Sequence, residues 1–109
     1  MLSFDFCDLY RVVLGLNDGE SHVQEINSDD AMTMVSLYVA SHFDGATVTK
    51  GYGVYRHENG DIVREESIII DLAFVTEFMV ESLVKHLKQV FNQESVMVMK
   101  MNVGVQFYG

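Results

Sequence analysis

The residues with most chemical potential lie in one stretch, Gly51 to Glu66. It carries Gly51 and Gly53 in a strand-like run, then Tyr55-Arg56, then Glu65-Glu66 ten positions further on. Asn59-Gly60 between them is a strong hairpin signal. With those two residues as the loop, Tyr55 pairs with Arg64 and Gly53 with Glu66, and all four share a face. Tyr55 and Glu66 are then diagonal neighbours, close enough for their side chains to meet. A phenol, a carboxylate and a gap over Gly53 would hold a small polar ligand. The plainer alternative is a structural Tyr55–Glu66 hydrogen bond. The same register turns Glu65 to the opposite face, where a buried carboxylate needs a partner such as Arg56. A bulge would exchange the two glutamates.

Other chemistries find no residues to carry them. Gly51-Tyr52-Gly53 is no phosphate loop, because no Lys-Ser/Thr follows and its flanks are strands. Its glycines suit a close approach to the backbone or a bulge. His22, His42, His57 and His86 show no metal-site spacing. His42 reads as a core histidine and His57 as a rim contact of the Tyr55 face. Cys7 is the only cysteine, so no internal disulfide forms and no Cys/His cluster exists. It reads as a buried bystander. No serine sits in a nucleophile elbow. Neither a metal nor a cofactor is expected.

The elements that must position these residues follow from periodicity. Phe4 to Leu16 alternates as a strand, closed by the turn Asn17-Asp18-Gly19, and 20–27 is loop. Ser28 is read as the cap of a helix over 29–43, with Ala31, Met34, Val35, Tyr38, Val39 and His42 on one side. Strands are expected at Ala46–His57 and Ile62–Asp71, a helix at 74–92 and a last strand at Ser95–Tyr108. Met97, Met99 and Met101 share one side of that strand and read as core. The order β-α-β-β-α-β predicts an α+β, ferredoxin-like sandwich: an antiparallel sheet with two helices on one face. The strands are apolar on both sides, as with Ile68 and Ile70 against Val63 and Ile69. The face without helices is therefore expected to meet another subunit.

The chain's 109 residues fit one domain, 1–109, and 49% hydrophobic content excludes intrinsic disorder. Its net charge of −9 opposes binding to nucleic acid phosphates or to an anionic membrane. Such a field attracts a cation, imitates DNA or simply keeps the protein soluble. The start Met1-Leu2-Ser3-Phe4-Asp5 lacks the basic-then-apolar pattern of a signal peptide, and no run approaches a membrane span. A reducing cytoplasm is the expected location.

Tyr55-Arg56, Glu65-Glu66, the apolar strand after them, and the amphipathic helix ending in Gln93-Glu94 before Val96-Met97-Val98 together resemble the phage-encoded S-adenosylmethionine lyases, formerly called hydrolases. The resemblance spans residues 51–98. It implies a trimer of ferredoxin-like subunits in the host cytoplasm, with S-adenosylmethionine bound between neighbours. It implies a counter-defence role, since depleting that substrate starves restriction and methylation. The implied reaction is attack of the substrate's own carboxylate on its γ-carbon, releasing 5′-methylthioadenosine and homoserine lactone. Glu66 and Tyr55 would be the catalytic pair, with Glu65, Gly53, Tyr52 and Arg64 contacting substrate. The competing readings are a non-catalytic ligand binder of similar fold and an acidic anti-restriction module that blocks a host enzyme.

Overall fold

A computed structural model describes all residues, 1–109. The elements follow in the order β1 (Asp5–Gly15), α1 (Ser28–His42), β2 (Thr47–Arg56), β3 (Ile62–Ala73), α2 (Glu77–Val90) and β4 (Met97–Val105). They build one four-stranded sheet in the order β2-β3-β1-β4, with every neighbouring pair antiparallel. This is the expected ferredoxin-like α+β arrangement. None of its helices is long and apolar enough to cross a membrane.

One sheet face and the two helices enclose the core. Tyr10, Val12, Leu14 and Leu16 of the first strand region meet Ile68, Ile70 and Leu72 of β3. Ala31, Val35 and Val39 close over them from α1, and Val80, Leu83 and Leu87 from α2. Each helix is buried on residues three or four apart, the stripe that a 3.6-residue turn dictates. The caps differ from expectation by one position at α1. Asn27 is the cap, its side chain accepting the Asp30 N–H at 2.8 Å. Ser28 lies just inside the helix and is free to donate elsewhere. α2 begins later than 74 because Phe74 takes a left-handed φ of 57° and Thr76 caps the helix.

His42 is exposed rather than buried. Its ring stacks on Tyr38 at 4.1 Å, and Tyr38 stacks in turn on His86 of α2 at 3.9 Å. The methionine row also lies outside the core. Met97 pairs with Val13 and Met101 with Leu9, both on the helix-free face, where Met97 is 54% exposed. The alternation of β4 was legible, but its apolar side turned out to be the open one.

That open face carries one ion pair in its middle. Arg11 donates to both oxygens of Asp71 across β1 and β3, at 2.7 and 2.9 Å. The hydrogen-bonded guanidinium holds the Asp71 carboxyl below the usual aspartate range. Because the folded value is the lower one, the stabilisation is complete above the unfolded aspartate pKa of about 3.9 and is lost as pH falls through the folded value. Asp71→Asn is therefore expected to lower stability at neutral pH and to flatten the fall in stability on acidification. Denaturant midpoints measured from neutral to acid pH check this; an unchanged acid dependence in the variant would refute it.

Candidate functional site

The β2–β3 hairpin decides which glutamate faces which side. Arg56 pairs with Ile62, Tyr55 with Val63, Gly53 with Glu65 and Tyr52 with Glu66. The expected register is thus shifted by one residue. The turn explains it. Gly60 N–H bonds to the His57 carbonyl at 2.9 Å, and His57 N–H to the Asp61 carbonyl at 2.9 Å. The loop is therefore Glu58-Asn59-Gly60, three residues long. Gly60 takes φ 91°, while Asn59 is not among the residues with positive φ. A two-residue type I′ loop would need positive φ at both. Asn59 instead accepts the Asp61 N–H at 3.0 Å, locking the longer turn. A slip of one residue moves every side chain to the other face.

Among the six expected site residues, the shift exchanges Glu65 for Glu66 and turns Arg64 away, while Tyr55 and Gly53 keep their common face. Tyr55, Gly53 and Glu65 come together on the open face. Glu66, Tyr52 and Arg64 belong to the helix side of the sheet, and all three are exposed there. Glu66 accepts from the Ser28 hydroxyl at 2.7 Å, a bond to the start of α1. Arg56 is not the partner of Glu65. The ladder from Thr47 to Arg56 runs without a bulge, and of the two strand glycines Gly51 serves a close approach, whereas a Cβ on Gly53 would meet nothing nearer than the Glu65 carbonyl at 3.6 Å. A Cβ on Gly51 would lie 2.6 Å from the Ser67 hydroxyl.

Glu65 is held on this face from two sides. Its Oε1 accepts from the Tyr55 hydroxyl at 3.2 Å and its Oε2 from the Asn17 N–H at 2.9 Å. Its carboxylate lies over Gly15, where a Cβ would stand 2.5 Å from Oε1. Burial, and then the neighbouring Glu65 charge, push the Tyr55 phenol above its ordinary pKa. At neutral pH Tyr55 is therefore a hydrogen-bond donor. His57 packs edge-on against Tyr55 at 6.0 Å, the rim position expected of it.

These groups line a cleft of about 680 Å³ at the hairpin end of the sheet. Its other wall is the loop Asn17-Asp18-Gly19 with His22, facing Gln93, Glu94 and Ser95 after α2; Met97 adds a thioether. The volume suits a small molecule. The charged lining includes the carboxylates of Asp18, Glu65 and Glu94. Asp18 is held below the usual aspartate range by the Ser21 N–H, the Asn92 side chain and the Glu20 N–H. This arrangement can orient a ligand by hydrogen bonds and favour positive charge. Sequence reasoning read Asn17-Asp18-Gly19 only as a turn, and Gly15 only as strand. Nothing local marks Gly15, because its partner Glu65 is fifty positions away in the chain.

Fold and cleft together define a ferredoxin-like α+β protein with a ligand-sized, acidic recess at one end of its sheet. The chain belongs to the family described as Protein of unknown function (DUF3574), whose model matches residues 10–107. No curated protein sequence matches it. Among solved structures it is similar to a phage SAM lyase in complex with S-methyl-5′-thioadenosine. The identity is 21%, over 93% of this chain and 90% of that one, with a TM-score of 0.64. The apo state of a phage SAM lyase matches at 21% identity over 97% and 94%, with a TM-score of 0.60. A point mutant of CutA1 from Pyrococcus horikoshii matches at 14% identity over 86% and 82%, with a TM-score of 0.53. These likenesses establish the shared fold.

Gly15→Ala is expected to displace the Glu65 carboxylate from its seat. The Tyr55 phenol would then lose its charged neighbour and titrate at lower pH than in the wild type, as it would in Glu65→Gln. Spectrophotometric titration, with Tyr55→Phe to assign the signal, measures this. An unshifted phenol in both variants would show that Glu65 does not act on Tyr55.

Proposed function

We propose that this protein is an S-adenosylmethionine lyase. The observation that carries the reading is the Glu65 carboxylate, pinned beside Tyr55 in an acidic cleft. It stands on a fold shared with a phage SAM lyase whose structure holds S-methyl-5′-thioadenosine.

The chemistry asks little of the protein. A sulfonium is already a good leaving group. One oxygen of the substrate carboxylate attacks the γ-carbon, the carbon–sulfur bond breaks, and its electron pair stays on sulfur. The products are 5′-methylthioadenosine and homoserine lactone, and no proton needs to move. The cleft's task is to fold the methionine arm into attack geometry and to exclude water. Glu65 takes the role that the expected register gave to Glu66: it favours the cation and accepts from a ribose hydroxyl. Tyr55 orients the substrate by donating a hydrogen bond, and Gly53 leaves room beside them. No metal or cofactor takes part.

The cleft is open on the sheet side, and the apolar row beside it is exposed, Met97 at 54% and Met101 at 39%. A monomer would leave this row in water. A homotrimer would cover it and let a neighbour wall the substrate. Activity in a bacterial host's cytoplasm would deplete S-adenosylmethionine and so blunt restriction and methylation.

Incubation of the purified protein with S-adenosylmethionine should yield methylthioadenosine, with homoserine lactone detected before homoserine and no loss of turnover to a chelator. Light scattering should give three times the 12.4 kDa chain mass. Glu65→Gln removes a charge-assisted hydrogen bond worth about 1.5–3 kcal/mol, a loss of roughly 10- to 150-fold in kcat/KM. Glu66→Gln, on the other face, should stay close to wild type. Ligand binding without product would make the protein a non-catalytic binder. A dead Glu66→Gln beside an active Glu65→Gln would reverse the assignment.

A further inference from the structure

The donor that holds Glu65 is not itself held by the sheet ladder. The last β1 contact to β3 is the Leu16 N–H on the Glu66 carbonyl, at 3.0 Å. At Asn17 the chain leaves β3, yet the Asn17 N–H must still aim at Glu65 Oε2. Its carbonyl is gripped from the other side by Gln93, whose Nε2 donates to it at 2.6 Å. The neighbouring residue of the same turn repeats the grip. Asn92 accepts the Gly19 N–H at 2.8 Å and donates from Nδ2 to both Asp18 oxygens, at 3.1 and 3.0 Å. Asn92 reaches them in a left-handed conformation, φ 48°. Two consecutive residues at the exit of α2 thus hold three consecutive residues of the loop.

We infer that Gln93 is a positioning residue for the Glu65 carboxylate, acting through the backbone of Asn17. The inference rests on the reading of Glu65 as the group that meets the ligand. Gln93 fixes where the Asn17 N–H points, and that N–H fixes one oxygen of Glu65. The other oxygen, now shared with Tyr55, is the one left to exchange its partner for a ligand. The helix exit therefore sets the geometry of a carboxylate on β3 through the backbone of the β1–α1 loop.

Gln93→Met keeps the length of the side chain and removes the donor. Two measurements on the full-length protein test it. The first is amide hydrogen exchange at Asn17 without ligand. The second is the affinity for S-adenosylmethionine and methylthioadenosine in the wild type, Gln93→Met, Glu65→Gln and the double variant. Exchange at Asn17 should accelerate roughly 3- to 10-fold, as expected for one lost hydrogen bond, while the β1–β3 amides stay unchanged. Affinity should fall by a similar factor on the wild-type background and not at all on the Glu65→Gln background. Unchanged Asn17 exchange would overturn the inference. So would an undiminished affinity loss in the double variant, which would make Gln93 a direct ligand contact. Should the wild type bind neither compound, the proposed activity fails, and Asn17 exchange alone still decides whether Gln93 positions this backbone.

Discussion

A carboxylate can lie flat on a β-sheet only where the strand beneath it has no side chain and where donors reach it from the edges. Glu65 meets both conditions: Gly15 lies under it, Tyr55 donates from one side and the Asn17 N–H from the other. Much of the surrounding structure follows from satisfying that group. Gly15 must be the last residue of β1 before the chain turns. The loop after it must stay close, which requires the exit of α2 to reach back across to it. Desolvating such a charge without partners would be costly, so these contacts are as much a condition of folding as of function.

The parity of a loop determines which charge is so placed. Two adjacent glutamates on a strand point to opposite faces, and the number of residues in the preceding turn selects between them. In this chain three residues place Glu65 over Gly15 and leave Glu66 to tie the hairpin to Ser28 at the start of α1. The two carboxylates thus act on different parts of the molecule, one in the cleft and one between sheet and helix.

The α+β architecture was legible because its signals are long. Strand alternation in β1 and the helical stripe of α2 each span many residues, and they agree with the apolar run of β3 and with the hairpin dipeptide before it. The site was legible only in composition. Tyr55, Gly53 and a glutamate converge as expected, but the choice of glutamate rested on a turn whose two-residue and three-residue forms share the Asn-Gly signature. The loop at Asn17 and the residues Gly15 and Gln93 carried no local mark, since their roles arise from contacts between distant parts of the chain. Periodicity likewise separated the two sides of β4 without telling which one the helices cover, and the methionine side proved to be the open one.

That row of thioethers gives the molecule a particular chemical vulnerability. No methionine is among its buried residues, whereas Met97 and Met101 stand in the open on the sheet. Peroxide converts a thioether into a polar, chiral sulfoxide. In a protomer outside the proposed trimer, oxidation of Met97 and Met101 would change the helix-free face and the Met97 wall of the cleft, leaving the Leu, Ile and Val interior intact. An oxidised molecule would thus keep its fold while losing the apolar surface beside the cleft, and a reductase that restores the thioether would restore that surface without refolding the chain.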